Sequence, residues 1–281
     1  MSISSSTVAV VGAGIAGLSA AIRLAVAGKK VIVFEQNSYT GGKVTAFEQK
    51  GFRFDMGPSL FTLPHLVDEL FELAGKNPRA YFNYHTHAEV CRYFWDDGTK
   101  LTMYPSIEKN EAAVASVFGP SEAKQLRDYF EKAKRKYDLT APFFLEKSLH
   151  RASTFLTPAV VKVLAEIPKL GLFSTLHEEN EKAFRTPKLV QLFNRYATYN
   201  GSSPYQTPGI MQMITHLEHS LGTHFPMGGM HEISQSLTRL AVDLGVRFEL
   251  ETRVEEFLIE YKSITGLVAG GKTWEVDQLV C

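Results

Sequence analysis

Residues 7–35 read TVAVVGAGIAGLSAAIRLAVAGKKVIVFE, and this stretch decides the fold. Thr7 to Val11 is a β-branched apolar run, the composition of a strand buried on both faces. It runs directly into Gly12-Ala13-Gly14-Ile15-Ala16-Gly17, a G-x-G-x-x-G. Leu18, Ala21, Ile22, Leu24 and Ala25 then recur at helical spacing until Gly28 stops the helix. A second apolar strand, Val31 to Phe34, ends at Glu35, 23 positions after Gly12. Each part has a chemical reason. Gly12 permits the tight turn off the strand, and Gly14 lets the backbone approach a pyrophosphate with no Cβ in the way. Gly17 lets the helix pack closely on the strand, while the helix N-terminus offers free amides and a positive dipole end to phosphate. Glu35 is placed to accept hydrogen bonds from a ribose diol. The glycines alone are weak evidence, since any structural turn uses them. Strand, glycines, helix, strand and acid in one unit specify dinucleotide binding.

Bulk properties narrow the class. The chain has 281 residues, 44% apolar and 21% charged, enough for two cores. Lys plus Arg number 30 and Asp plus Glu 30, so no net field draws in nucleic acid. Only Cys91 and Cys281 are present, which argues against a disulfide scaffold and fits a reducing compartment. The first strand begins within a few residues of Met1, so no signal peptide is expected, and no apolar run reaches bilayer-spanning length.

Which dinucleotide binds is addressed by the residues after Glu35. Gln36-Asn37-Ser38-Tyr39-Thr40 leads to Gly41-Gly42-Lys43, then to two alternating segments around Gly51. These end in Phe52-Arg53-Phe54-Asp55-Met56-Gly57-Pro58-Ser59. An acid followed eight positions later by a basic residue behind paired glycines resembles the flavoprotein family of amine oxidases, protoporphyrinogen oxidases and carotenoid desaturases. A second passage narrows the resemblance: Asn194-Arg195-Tyr196-Ala197-Thr198-Tyr199-Asn200-Gly201-Ser202-Ser203-Pro204-Tyr205, with Phe225-Pro226-Met227-Gly228-Gly229-Met230 after it. With Gly57-Pro58-Ser59-Leu60-Phe61, these are similar to the phytoene desaturase type, in particular its carotenoid 3,4-desaturase branch, along essentially the whole chain.

The resemblance implies FAD as cofactor, held by Gly12, Gly14, Ile15, Ala16, Gly17, Glu35, Gly42, Lys43, Gly57, Pro58, Ser59 and Val254, with the backbone at Val254 facing the adenine. Lys43 stands where many relatives carry arginine, which removes a bidentate phosphate grip. The implied fold is α/β: a Rossmann-type FAD-binding domain, discontinuous over residues 1–80 and 225–281, with an inserted mixed α+β substrate domain over 81–224. The boundary near residue 80 comes from the sequence itself, since Tyr81 to Tyr104 reads as strands with a turn at Asp96-Asp97-Gly98, foreign to a minimal dinucleotide domain.

The remaining segments read more plainly. Leu66, Val67, Leu70, Phe71 and Leu73 describe an amphipathic helix from near Pro64, and residues 107–136 one or two helices with a solvated charged face. Residues 140–176 combine short apolar segments, Pro142, Pro158 and Pro168, and the basic Lys147, His150, Arg151, Lys162 and Lys169. That pattern suits both a surface dipping into an anionic membrane interface and a core with snorkelling lysines. His216, His219, His224 and His231 have no acidic or cysteine partner at ligand spacing, so no metal site is expected among these surface histidines. Ile233 to Leu244 is a helix, Val246 to Leu250 returns to the nucleotide sheet, and three further strands precede a last one at Gln278-Leu279-Val280.

The resembling enzymes remove two hydrogens across a C–C single bond beside a polyene. This implies a long apolar polyene substrate, an external electron acceptor such as a quinone or oxygen, and a cytoplasmic protein peripherally attached to a membrane. Isomerisation or saturation of a carotenoid on the same scaffold is the alternative chemistry. Those enzymes also continue further than Cys281, so the chain reads as truncated and, alone, as an inactive FAD-binding fragment. No Ser/His/Asp, Cys/His or paired-carboxylate constellation is present, and no catalytic residue is assigned.

Overall fold

The computed structural model describes residues 6–144, 147, 150, 151, 163 and 166–281. In chain order, β1 (Thr7–Val11), α1 (Ile15–Val26) and β2 (Lys30–Phe34) are followed by the hairpin β3 (Thr45–Gln49) and β4 (Phe52–Met56). Next come α2 (His65–Leu73), β5 (Tyr84–Thr86), β6 (Cys91–Phe94), β7 (Lys100–Met103), α3 (Ile107–Phe118) and α4 (Pro120–Phe144). Then follow α5 (Leu176–Ala183), α6 (Pro187–Asn194), α7 (Ile214–His219), β8 (His224–Pro226) and α8 (His231–Asp243). The chain closes with β9 (Arg247–Glu249), β10 (Val254–Glu260), β11 (Ser263–Ala269), β12 (Lys272–Glu275) and β13 (Gln278–Val280).

The chain divides into two compact units, residues 1–86 with 224–281 and residues 87–223. The first division falls six residues beyond the position read from sequence, for a physical reason. β5 pairs antiparallel with β8, Tyr84 opposite Pro226 and Thr86 opposite His224, so residues 81–86 belong with the nucleotide sheet's unit.

In the first unit, a parallel sheet of order β13-β1-β2-β9 is the frame. Val8, Ala9 and Val10 of β1 are fully buried, as a strand covered on both faces requires. One face packs into a core of Val10, Leu18, Ile22, Val33, Phe71, Leu237 and Leu240, so α1, α2 and α8 lie on it. The other face, through Ala9, Ile32 and Phe34, meets Leu267 and Ala269 of the three-stranded antiparallel sheet β10-β11-β12 and Val276 just beyond it.

The second unit is built on α4, whose Leu126, Tyr129 and Phe130 pack with Leu176, Leu189, Phe193 and Tyr196. Its β6-β7 hairpin contributes Leu101 and Met103 to the same core. Two helices fill residues 107–136, as the charge pattern implied, and α4 runs on to Phe144 with Pro142 inside its last turn. Of the proposed membrane stretch, residues 145, 146, 148, 149, 152–162, 164 and 165 lie outside the described residues. No described helix is long and apolar enough to cross a membrane.

Candidate cofactor site

The site begins at the exit of β1. Gly12 turns with φ +92°, and its amide donates to the Phe34 carbonyl at 2.8 Å, which ties the turn to β2. A Cβ on Gly17 would overlap the Gly12 carbonyl oxygen, so only glycine lets α1 sit this close to the turn. Around Gly12 and Gly14 an added Cβ meets nothing within 4 Å, and the space over the turn is open. Gly14 is the N-cap of α1 and supplies no side-chain cap, leaving the first-turn amides to an outside acceptor.

The paired glycines close on the same point. The Gly41 amide donates to the Ala13 carbonyl at 2.7 Å, and a Cβ on Gly42 would stand 3.2 Å from Gly14 Cα. Helix α8 fixes this loop from behind. Ser234 Oγ donates to the Val44 carbonyl at 2.9 Å, and His231 Nε2 donates to the Thr40 carbonyl at 3.3 Å. Lys43 is exposed, and its own carbonyl fills the place a Cβ on Gly57 would take. Gly57 thus holds the end of β4 against the loop, while Pro58 and Ser59 are exposed.

Glu35 is buried, 6% exposed, and does more than its sequence position indicates. Its Oε2 accepts from the Ala13 amide at 2.8 Å, and its Oε1 accepts from the Asn37 amide and Nδ2 at 2.9 and 2.7 Å. Three of roughly four lone-pair sites are filled, which leaves one on Oε2 open to a further donor. The Glu35 backbone is paired as well: its amide donates to the Glu249 carbonyl and its carbonyl accepts from Thr252. These bonds carry residues 249–254 beside the acid. The result is a cavity of about 250 Å³ lined by Gly12, Glu35, Gln36, Thr252, Arg253 and Val254. That volume suits one part of a dinucleotide rather than the whole. Thr252 and Arg253 had no signal in the sequence, because a strand pairing far along the chain places them, whereas Asn37 reaches Glu35 locally, two residues on.

Asp55 and Arg53 form an ion pair at 2.9 Å. Asp55 also accepts from the Met230 amide at 3.0 Å and the His231 amide at 3.4 Å, so it caps α8 from another element. Burial raises its carboxyl, but the Met230 amide, Arg53 and the His231 amide outweigh that and hold it below the usual value. This role is structural.

The NRYATYNGSSPY stretch lies in the second unit and forms a buried polar node there. Glu218 is fully buried. It accepts from Arg195 at 2.9 Å, from Tyr196 at 2.8 Å and from Tyr199 at 2.5 Å. The Tyr196 hydroxyl also lies 2.7 Å from His219 Nε2, and its single proton serves one of the two at a time. Burial and the neighbouring Glu218 push the Tyr196 phenol far up, and burial pushes the His219 imidazole down. His216 and His219 are thus buried, not surface groups, because α7 turns them inward, and His224 is buried on β8. Among the described residues no three metal-binding side chains are grouped.

A family model described as flavin containing amine oxidoreductase matches residues 15–281. The chain is a member of the flavin-containing amine oxidoreductase family. FAD is accordingly its cofactor, and the open turn, the paired glycines and the Glu35 cavity fit the nucleotide half of that molecule. The 1-hydroxycarotenoid 3,4-desaturase of Flavobacterium sp. (strain P99-3) is 47% identical over 272 residues, 97% of this chain and 55% of the relative. The 4,4'-diapolycopene oxygenase of Methylomonas sp is 32% identical over 249 residues, 89% of this chain and 50% of the relative. The chain thus spans about half the length of the curated relatives it matches. An oxidoreductase structure from Methanosarcina mazei superposes with a TM-score of 0.61 at 18% identity, over 97% of this chain and 58% of the other. At that identity the likeness extends to the fold, which is the Rossmann-type α/β architecture of this flavoprotein family.

Proposed function

We propose that this sequence belongs to an FAD-dependent enzyme that desaturates a C–C bond of a carotenoid, phytoene or a hydroxylated or monocyclic carotene derivative. The observation that carries the reading is the 47% identity to a 1-hydroxycarotenoid 3,4-desaturase across 97% of the chain. A bound flavin supplies the hydride acceptor in such chemistry. The chain's own residues bind and orient. Gly12, Gly14, Ile15, Ala16 and Gly17 receive the pyrophosphate at the start of α1, with Gly42 and Lys43 across from them. Glu35 accepts a ribose hydroxyl, and Val254 lines the adenine end. Gly57, Pro58 and Ser59 continue from β4 toward the cofactor. Residues 1–86 with 224–281 form the FAD-binding domain and residues 87–223 the substrate domain. The substrate is a long apolar polyene drawn from a membrane surface, and a quinone or oxygen takes the electrons.

The test supplies the protein carrying this sequence with FAD, a quinone and a 1-hydroxycarotenoid in liposomes. Desaturation gives a product two hydrogens lighter and one reduced quinone per turnover. Unchanged mass with a shifted double-bond geometry would make it an isomerase, and a gain of two hydrogens a saturase. Retention of FAD with no product would leave a binding module.

A further inference from the structure

The second unit contains a cavity of about 550 Å³ that the cofactor site does not use. The C-terminal half of α4 forms one wall with Lys132, Arg135, Lys136 and Leu139. Glu166 and residues 168–174 form another, and Glu179 and Lys182 of α5 complete it. Five basic side chains face two carboxylates there. Each carboxylate is shared. Glu166 pairs with Arg135 at 2.7 Å and Lys169 at 3.5 Å, and Glu179 with Lys136 at 3.6 Å and Lys182 at 3.4 Å. Lys132 has no ion-pair partner among the described residues.

Lys136 is the unusual member. Its side chain is 5% exposed, and its ammonium donates to the Gly209 carbonyl at 3.0 Å. A Cβ on Gly171 would stand 3.0 Å from that ammonium, so a glycine leaves the space beside it open. Burial drives the Lys136 ammonium down from its ordinary value, and Lys132 and Lys182 add repulsion against the support of Glu179. A buried cation beside two like charges gains from an incoming anion.

At the same cavity the apolar surface turns outward. Phe173 is 91% exposed and Leu172 40% exposed, both lining residues. An exposed aromatic side chain beside a cationic cavity is the arrangement of an interfacial anchor, with apolar groups in the acyl boundary and bases at headgroup level. We propose that this cavity receives the phosphate headgroup of an anionic phospholipid, with Phe173 and Leu172 seated in the lipid beside it. The inference rests on the reading that the protein draws its substrate from a membrane surface, and adds the site by which it holds that surface.

The test uses co-sedimentation of the purified chain with phosphatidylcholine vesicles carrying 30% phosphatidylglycerol, as ~30% anionic lipid gives a strong surface field. The variant Lys132→Glu with Lys182→Glu reverses two exposed cavity charges. The control, Lys109→Glu with Lys124→Glu, makes the same change in charge on exposed positions of the same unit outside the cavity. Vesicle affinity is expected to fall at least about tenfold in the cavity variant and to stay within about twofold in the control. Phe173→Ser is expected to weaken binding without altering its salt dependence. Equal loss in both charge variants would overturn the site while leaving membrane docking intact, since attraction by overall charge would then suffice. No binding by the unaltered chain would overturn both the site and the membrane reading. Saturable binding of inorganic phosphate without vesicle binding would overturn the lipid assignment.

Discussion

In the proposed reading, Glu35 is one side chain that serves both the fold and the ligand. It holds the Ala13 amide inside the glycine turn and the Asn37 amide beyond β2, and still lines the nucleotide cavity. Glu35→Gln keeps the shape, but its amide nitrogen faces an N–H where the carboxylate accepted. Hydrogen bonds to a charged acceptor are worth about 1.5–3 kcal/mol. FAD affinity is therefore expected to fall by at least about tenfold, read by isothermal titration or flavin fluorescence, with a small loss of stability as well. An unchanged dissociation constant would remove Glu35 from the ribose. At this scale the sequence was most informative where neighbours along the chain do the work: Gly12, Gly14 and Gly17 act through backbone within a few residues of themselves. It was silent on Thr252 and Arg253, which reach Glu35 only because β9 pairs with β2 and carries the following turn along.

Among the elements, α8 owes its placement to distant residues. Its N-terminus has no cap of its own at Met230, and Asp55 from β4 supplies one. A carboxylate at a helix N-terminus is worth about 0.3–1 kcal/mol, and up to ~2 when partly buried. The folded-state value of Asp55 is depressed, so its contribution is complete above the ordinary value of 3.8. It fades as the pH falls through the lower folded-state value, where both states become protonated. Asp55→Asn is expected to cost about 1 kcal/mol at neutral pH and almost nothing at the acid end. Urea unfolding of both proteins across that range measures it, and a constant difference at all pH values would refute the charge argument. The hairpin that carries Asp55 was legible as two alternating segments, but its orientation was not. Phe47, Phe52, Phe54 and Met56 share one face and are 43–69% exposed, while Arg53 and Asp55 point toward α8. Alternation gives two faces, and only tertiary structure selects which one is inward.

At the scale of the whole molecule, the two units have separate cores. Val10, Leu18, Phe71 and Leu237 belong to one, and Leu126, Tyr129, Phe193 and Tyr196 to the other. The sequence indicated a second unit from a hairpin foreign to a nucleotide domain, yet missed that β5 stays with the first, because its partner β8 lies beyond the whole insertion. The proposed FAD residues all fall within the first unit. Ligand binding stabilises only the unit that holds the ligand, by about 2.7 kcal/mol at a hundredfold excess over the dissociation constant. Calorimetry of the chain is accordingly expected to show two transitions, one rising by roughly 5–10 °C with saturating FAD and the other unmoved. Glu35→Gln should reduce that rise and leave the second transition where it was. Glu218→Gln, which disturbs the buried Arg195–Tyr196–Tyr199 node, should lower the second transition and leave the FAD-dependent rise intact. A single transition shifted as one by FAD, or equally lowered by both substitutions, would show that the two cores unfold together and that the cofactor's grip is not confined to the nucleotide sheet.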